Sequence, residues 1–169
     1  MGRNSIFIHI VRFVLLVLVQ VLVFNQLNFL GFVNPMVYIL FFFWFPIKEN
    51  RMLFIGIGFF LGLVVDLFSD TLALHAAASV TIAYLRPAMM RFVFGVNYEF
   101  QSFRLSNTTR VQQFTFLALL ILVHHVVFYS LEIFSLSNLL LLLKKVLFNV
   151  LGSIVLCTLL SSLFSPEKE

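Results

Sequence analysis

Apolar runs of 17 or more residues recur along this chain with only short polar breaks between them, and that pattern sets the fold class before any single residue is considered. Crossing the hydrocarbon core takes about 17 to 25 apolar residues in a helix. Six stretches approach or reach that length: 6–24, 29–45, 52–68, 71–85, 111–131 and 139–164. With 62% hydrophobic and 11% charged residues, the chain cannot cover a water-soluble surface of ordinary composition. The expectation is an all-α integral membrane protein, residues 1–169 forming one polytopic domain with no separate soluble unit.

The stretches at 29–45 and 71–85 are short, and charge decides whether they cross. If all six do, with a cytoplasmic N-terminus, then Arg3, Arg12, Lys48, Arg51, Arg86, Arg91, Arg104, Arg110 and Lys168 fall on or snorkel toward the inner side. Only Lys144 and Lys145 remain outside. Dropping the second span would move Lys48, Arg51 and the bases of 86–110 outward, against the positive-inside bias. The expectation is therefore six spans with both termini cytoplasmic. The first span reads as uncleaved, because 25–28 offers no small-x-small cleavage pattern.

Turn chemistry agrees with this count. Gly31, Asn34 and Pro35 open the second span, Pro46 closes it, and 48–51 is a short polar turn. Ser69-Asp70-Thr71 separates the third and fourth spans, with Ser69 or Asp70 as the expected N-cap of the helix that follows. The segment 86–110 mixes Arg91, Arg104 and Arg110 with Phe92, Phe94, Tyr98, Phe100 and Phe103, as expected of an inner loop lying among lipid headgroups. Its bases are not gathered on a soluble face, so membrane lipid is the expected partner and nucleic acid is not.

The least generic stretch is 56–75. Gly58, Gly62 and Asp66 are spaced by four and share one helix face, offering two bare backbone patches beside an acid that lipid would reject. Gly56 broadens the thin surface, and Ala73, Ala76, Ala77 and Ala78 supply a neighbour within the chain. Asp66 has two readings: a solvated acid near the helix end, meeting His75 across the hairpin, or a buried polar contact with a partner. His124 and His125 are expected to make helix–helix hydrogen bonds; adjacent on one helix, they cannot face the same way as a metal pair. The run Leu139, Leu140, Leu141, Leu142 and Leu143, ahead of Lys144 and Lys145, belongs either to a tilted helix with snorkelling lysines or to a docking surface.

No nucleophile motif, phosphate-cradling loop, catalytic acid pair or zinc-ligand spacing is present, and the single Cys157 excludes an internal disulfide. No enzyme activity, cofactor or metal is expected.

From Gly58 through Asp66-Leu67-Phe68-Ser69 to Leu74-His75-Ala76, the chain resembles the rod shape-determining protein MreD family. A Gly-rich third span running into Gly-x-x-x-Asp-Leu, a small polar turn and an Ala-rich fourth span carry the resemblance, together with the Asn34-Pro35 opening and the span count. The high phenylalanine content departs from the family pattern. Gly58, Gly62 and Asp66 match the motif; Asp70 and His75 match it loosely.

The resemblance implies a non-enzymatic scaffold in the bacterial cytoplasmic membrane that helps to position lateral peptidoglycan synthesis and maintain cell shape. It implies direct binding to MreC, and contact, direct or through MreC, with the MreB filament and the glycosyltransferase–transpeptidase pair. The implied helix arrangement is similar to that of energy-coupling-factor substrate-binding subunits. A vitamin-binding subunit of an energy-coupled importer is the alternative, with Asp66, Asp70, His75 and Tyr129 lining an outer polar pocket.

Overall fold

A computed structural model describes residues 3–26, 33–47, 49–99, 103–133 and 138–163. Its helices are α1 (Arg3–Val19), α2 (Leu40–Trp44), α3 (Arg51–Ser69), α4 (Leu74–Phe94), α5 (Arg110–Ile133) and α6 (Leu139–Leu163), with no strand among the described residues. Four stretches are long and apolar enough to cross a membrane: Phe7–Phe24, Arg51–Ser69, Arg110–Ile133 and Leu139–Leu163. The bundle presents leucine, valine and phenylalanine outward along α1, α3, α5 and α6. That surface suits lipid and not water.

The second stretch departs most from expectation. Over the described part of 29–45 there is no continuous spanning helix, only a 3₁₀ turn, Val37–Ile39, leading into the five residues of α2. Both are enclosed by the other helices, and Val37 to Leu40 and Phe42 are fully buried. Residues 29–32, including Gly31, lie outside the described residues, as do Lys48, Phe100 and Lys168.

Irregular backbone inside an apolar bundle must find hydrogen-bond partners within the protein. Here they come from side chains on flanking helices. After Val19, α1 continues as a π-helical turn, Gln20–Phe24, and Gln20 is buried. Its Nε2 donates to the Pro35 carbonyl at 3.1 Å, and its Oε1 accepts from the Val37 amide at 2.7 Å. From α6, Asn149 Oδ1 accepts the Asn34 amide at 2.6 Å and Ser153 Oγ accepts the Met36 amide at 3.0 Å. One turn further, the Cys157 thiol lies 3.8 Å from the Met36 carbonyl oxygen. Pro35 has no amide to satisfy.

At the other end of α2, Arg86 of α4 donates to the carbonyls of Phe45 and Pro46. Its guanidinium also sits 4.8 Å over the Phe54 ring. Arg86 is only 4% exposed. The short helix is thus capped at both ends by residues that are distant in sequence.

The fourth helix also differs from its expected bounds of 71–85. It starts at Leu74 and continues to Phe94, straight through Arg86, Pro87 and Arg91. Arg86, Met89, Met90 and Phe94 are buried on one face, so the helix continues because it still has a bundle to pack on. The expected inner loop 86–110 therefore begins as helix and then makes two 3₁₀ turns, Gly95–Glu99 and Leu105–Asn107. The polar turn before α3 forms as expected, with Asn50 Oδ1 accepting the Met52 amide at 2.8 Å.

Arg86→Ala would leave the Phe45 and Pro46 carbonyls without a charged donor and is expected to destabilise the detergent-solubilised protein by about 2 kcal/mol. Exposed Arg91→Ala should stay within about 0.5 kcal/mol. Equal melting temperatures for the two variants would show that Arg86 does not cap α2.

Candidate functional site

The sequence motif assembles at the turn between α3 and α4. Ser69 ends α3, Asp70 takes a left-handed conformation (φ 53°), and Ala73 takes another (φ 59°) before α4 begins. Ala73 holds the N-cap position of α4 and has no side chain that can cap. Asp66 supplies the missing group from the preceding helix. Its Oδ1 accepts the His75 amide at 3.0 Å and its Oδ2 the Ala76 amide at 2.8 Å. Thr71 Oγ1 donates to Oδ1 at 2.5 Å, and His75 Nδ1 lies 3.0 Å from the same oxygen.

This arrangement corrects three expectations. Neither Ser69 nor Asp70 caps α4; Asp70 is exposed, and Ser69 Oγ instead accepts from Asn25 Nδ2 at 2.7 Å. Asp66 is not a solvated acid, since it is 3% exposed. Nor does its contact belong to another chain: its four hydrogen-bonding groups are Thr71, His75 (amide and ring) and Ala76. A carboxylate at a helix N-terminus also meets the positive end of the helix dipole, which favours the same placement.

The glycine face is closed in the same way. A Cβ on Gly62 would lie 2.5 Å from the Ala76 Cα and the His75 carbonyl oxygen, so α3 and α4 touch backbone to backbone there. A Cβ on Gly58 would meet the edge of the Phe42 ring at 2.9 Å and Ala83 at 3.5 Å. Gly58 and Gly62 are buried by this chain and are not available to a partner helix. Gly56 does not widen that surface, because it points away from it and has nothing within 4 Å. By contrast, Leu139, Leu140, Leu141 and Leu143 are exposed along the first turns of α6, with Leu142 half-buried.

Next to the Asp66 cap lies a cavity of about 460 Å³, lined by polar groups from α1, the α3–α4 turn, α5 and α6. His75 and Tyr129 line it, as does Thr71; Asp66 and Asp70 do not. Glu132 and Lys145 line it too and form an ion pair, with Lys145 Nζ 3.0 Å from each carboxylate oxygen. His75 packs against Phe128 with ring centroids 4.5 Å apart.

The paired histidines of α5 face different neighbours. His124 Nε2 is 2.6 Å from the Tyr38 hydroxyl. His125 Nδ1 is 2.8 Å from the Ile121 carbonyl oxygen and its Nε2 is 3.1 Å from Ser153 Oγ. These bonds join α5 to the turn before α2 and to α6, and no metal-binding cluster occurs among the described residues.

Sequence reasoning missed Gln20, Tyr38, Asn149 and Ser153 as structural keys. The signal was available in part: Lys145, Asn149, Ser153 and Cys157 recur every four residues, a polar stripe along an otherwise apolar helix. Comparisons with family models, with curated proteins and with solved structures find no match to this chain.

The three glycines should respond to alanine in a graded order. Gly62→Ala forces backbone against backbone and is expected to cost about 3 kcal/mol. Gly58→Ala requires only a ring shift and should cost less, while Gly56→Ala should be neutral or stabilising by up to about 1 kcal/mol. Thermal unfolding in detergent checks the order, and a Gly62→Ala protein as stable as Gly56→Ala would refute the close α3–α4 contact.

Proposed function

We propose that this chain is a non-enzymatic scaffold of the bacterial cell-elongation machinery, similar to MreD, which binds MreC in the cytoplasmic membrane and helps to position lateral peptidoglycan synthesis. The observation that carries this reading is the use made of the motif residues. Gly62 and Asp66 join α3 to α4 by backbone proximity and a helix cap, and Gly58 leaves room for the Phe42 ring of α2, which is work of architecture and not of reaction chemistry.

The surface left for a partner is then the exposed leucine run of α6, at Leu139, Leu140, Leu141 and Leu143. Four exposed leucines within five positions at one end of a helix suit a single-span partner helix such as that of MreC, because helix association in lipid gains from van der Waals packing. Contact with the MreB filament and the glycosyltransferase–transpeptidase pair would follow directly or through MreC.

In this reading the chain crosses six times, with α2 and the residues before it forming the second crossing and both termini cytoplasmic. Arginine placement supports that orientation. Arg51 bonds the Tyr84 carbonyl and Arg86 bonds the end of α2, which gathers the start of α3, the end of α2 and the middle of α4 at the arginine-rich end of the bundle. Lys144 and Lys145 stand at the start of α6, beside the α3–α4 turn end, where Lys145 and Thr71 line one cavity.

Two experiments test the proposal. In a Cys157→Ala background, single cysteines at Gln26 and Glu49, which flank α2 and the residues before it, should label from opposite sides of the membrane; labelling from one side would remove the second crossing. Leu140→Ala combined with Leu143→Ala should lower co-purification with MreC by about tenfold without changing insertion, and undiminished MreC recovery would refute the docking surface.

A further inference from the structure

We propose that the cavity beside the α3–α4 turn binds a zwitterionic aromatic amino acid. The inference rests on the cavity alone and stands whether or not the chain is a scaffold. At about 460 Å³ the cavity is of the size that holds small ligands. It is also where polar side chains from the π turn that continues α1 and from α3, α4, α5 and α6 converge, in a chain that is 62% hydrophobic.

Its charges are one acid and one base. Glu132 and Lys145 pair with each other at the open side, where their side chains are 35% and 33% exposed. An ion pair that exposed contributes only about 0–1 kcal/mol. A ligand carrying both charges can therefore replace it at little cost, its ammonium meeting Glu132 and its carboxylate meeting Lys145. A ligand with one charge would take one partner and strand the other in a partly desolvated site. This balance selects a zwitterion over a simple anion or cation.

The walls select an aromatic ring. Phe68, Phe128 and Tyr129 line the cavity, and the Lys145 ammonium already lies 5.7 Å from the Tyr129 ring centroid. The floor offers an acceptor. The Asp66 carboxylate 3.0 Å from Nδ1 favours the tautomer with its proton there, and in that tautomer Nε2 carries the lone pair. Nε2 has no hydrogen-bond partner among the described residues, and His75 lines the cavity. A ring N–H or O–H on the ligand would satisfy it.

The probe is L-tryptophan, tritiated, in equilibrium dialysis against the purified full chain in detergent micelles. Saturable binding is expected, with indole-3-propionate (no ammonium) and tryptamine (no carboxylate) each competing about tenfold more weakly. Glu132→Gln and Lys145→Met should each weaken tryptophan binding about tenfold while leaving the melting temperature unchanged. Absence of saturable binding to the intact protein would overturn the proposal, as a cavity that holds only water. Equal competition by all three compounds would also overturn it, because the paired charges would then play no part. The analogue series on the unaltered chain decides the matter even if a variant fails to fold. MreC co-purification reports separately on the scaffold reading.

Discussion

The fold depends on satisfying a short piece of irregular backbone as it enters the bundle, exposed at Asn34 and buried from Pro35 onward. Asn34 to Val37 presents three amides that helix geometry leaves unpaired; Asn149, Ser153 and Gln20 accept all three, and Gln20 also donates to the Pro35 carbonyl. An unmet backbone group in an apolar interior costs several kcal/mol. Each of these side chains therefore holds α1 and α6 to the centre of the bundle more specifically than apolar contact would. Ser153 serves twice, accepting from the Met36 amide and donating to His125, whose Nδ1 proton goes to the Ile121 carbonyl. One chain of hydrogen bonds thus links the irregular segment to α6 and α5 and fixes the tautomer of the histidine.

The joint between α3 and α4 solves a related problem by other means. Two non-glycine residues, Asp70 and Ala73, adopt left-handed backbone in quick succession, at a cost of about 1–2 kcal/mol each. What offsets that cost is the pair of amide bonds made by Asp66 and the close approach at Gly62, which brings the two helix backbones into contact. The acid is buried because it completes a helix, and the glycine is bare because a backbone lies against it.

How much of this was legible in sequence depended on how local each cause was. Hydrophobic runs and basic flanks fixed the helical class, and a four-residue spacing placed Gly58, Gly62 and Asp66 on one face, where they lie. The cap on α4 was misread because turn chemistry pointed to Ser69 and Asp70, while the group that caps comes from four residues before Asp70, on the helix itself. The shortness of α2 was hidden because its sequence is as apolar as a spanning helix; only its full enclosure and the distant caps reveal the break. Arg86 was taken for a loop residue because an arginine at the end of an apolar run ordinarily marks an interface, whereas here its guanidinium turns inward to two carbonyls. Whether an exposed leucine meets lipid or protein is a property of what surrounds the chain, and local pattern does not encode it.

The wide separation of these partners along the chain has a consequence for biogenesis. Met36 meets Gln20 only through its neighbours on either side, but its own amide waits for Ser153, a residue 117 positions later. At a synthesis rate of about 5–20 residues per second, that delay is on the order of 6–23 seconds. Throughout it, the nascent segment has Gln20 available and the α6 stripe still unmade. The central element can reach its final position only after α6 has left the ribosome, so the centre of this bundle is completed late.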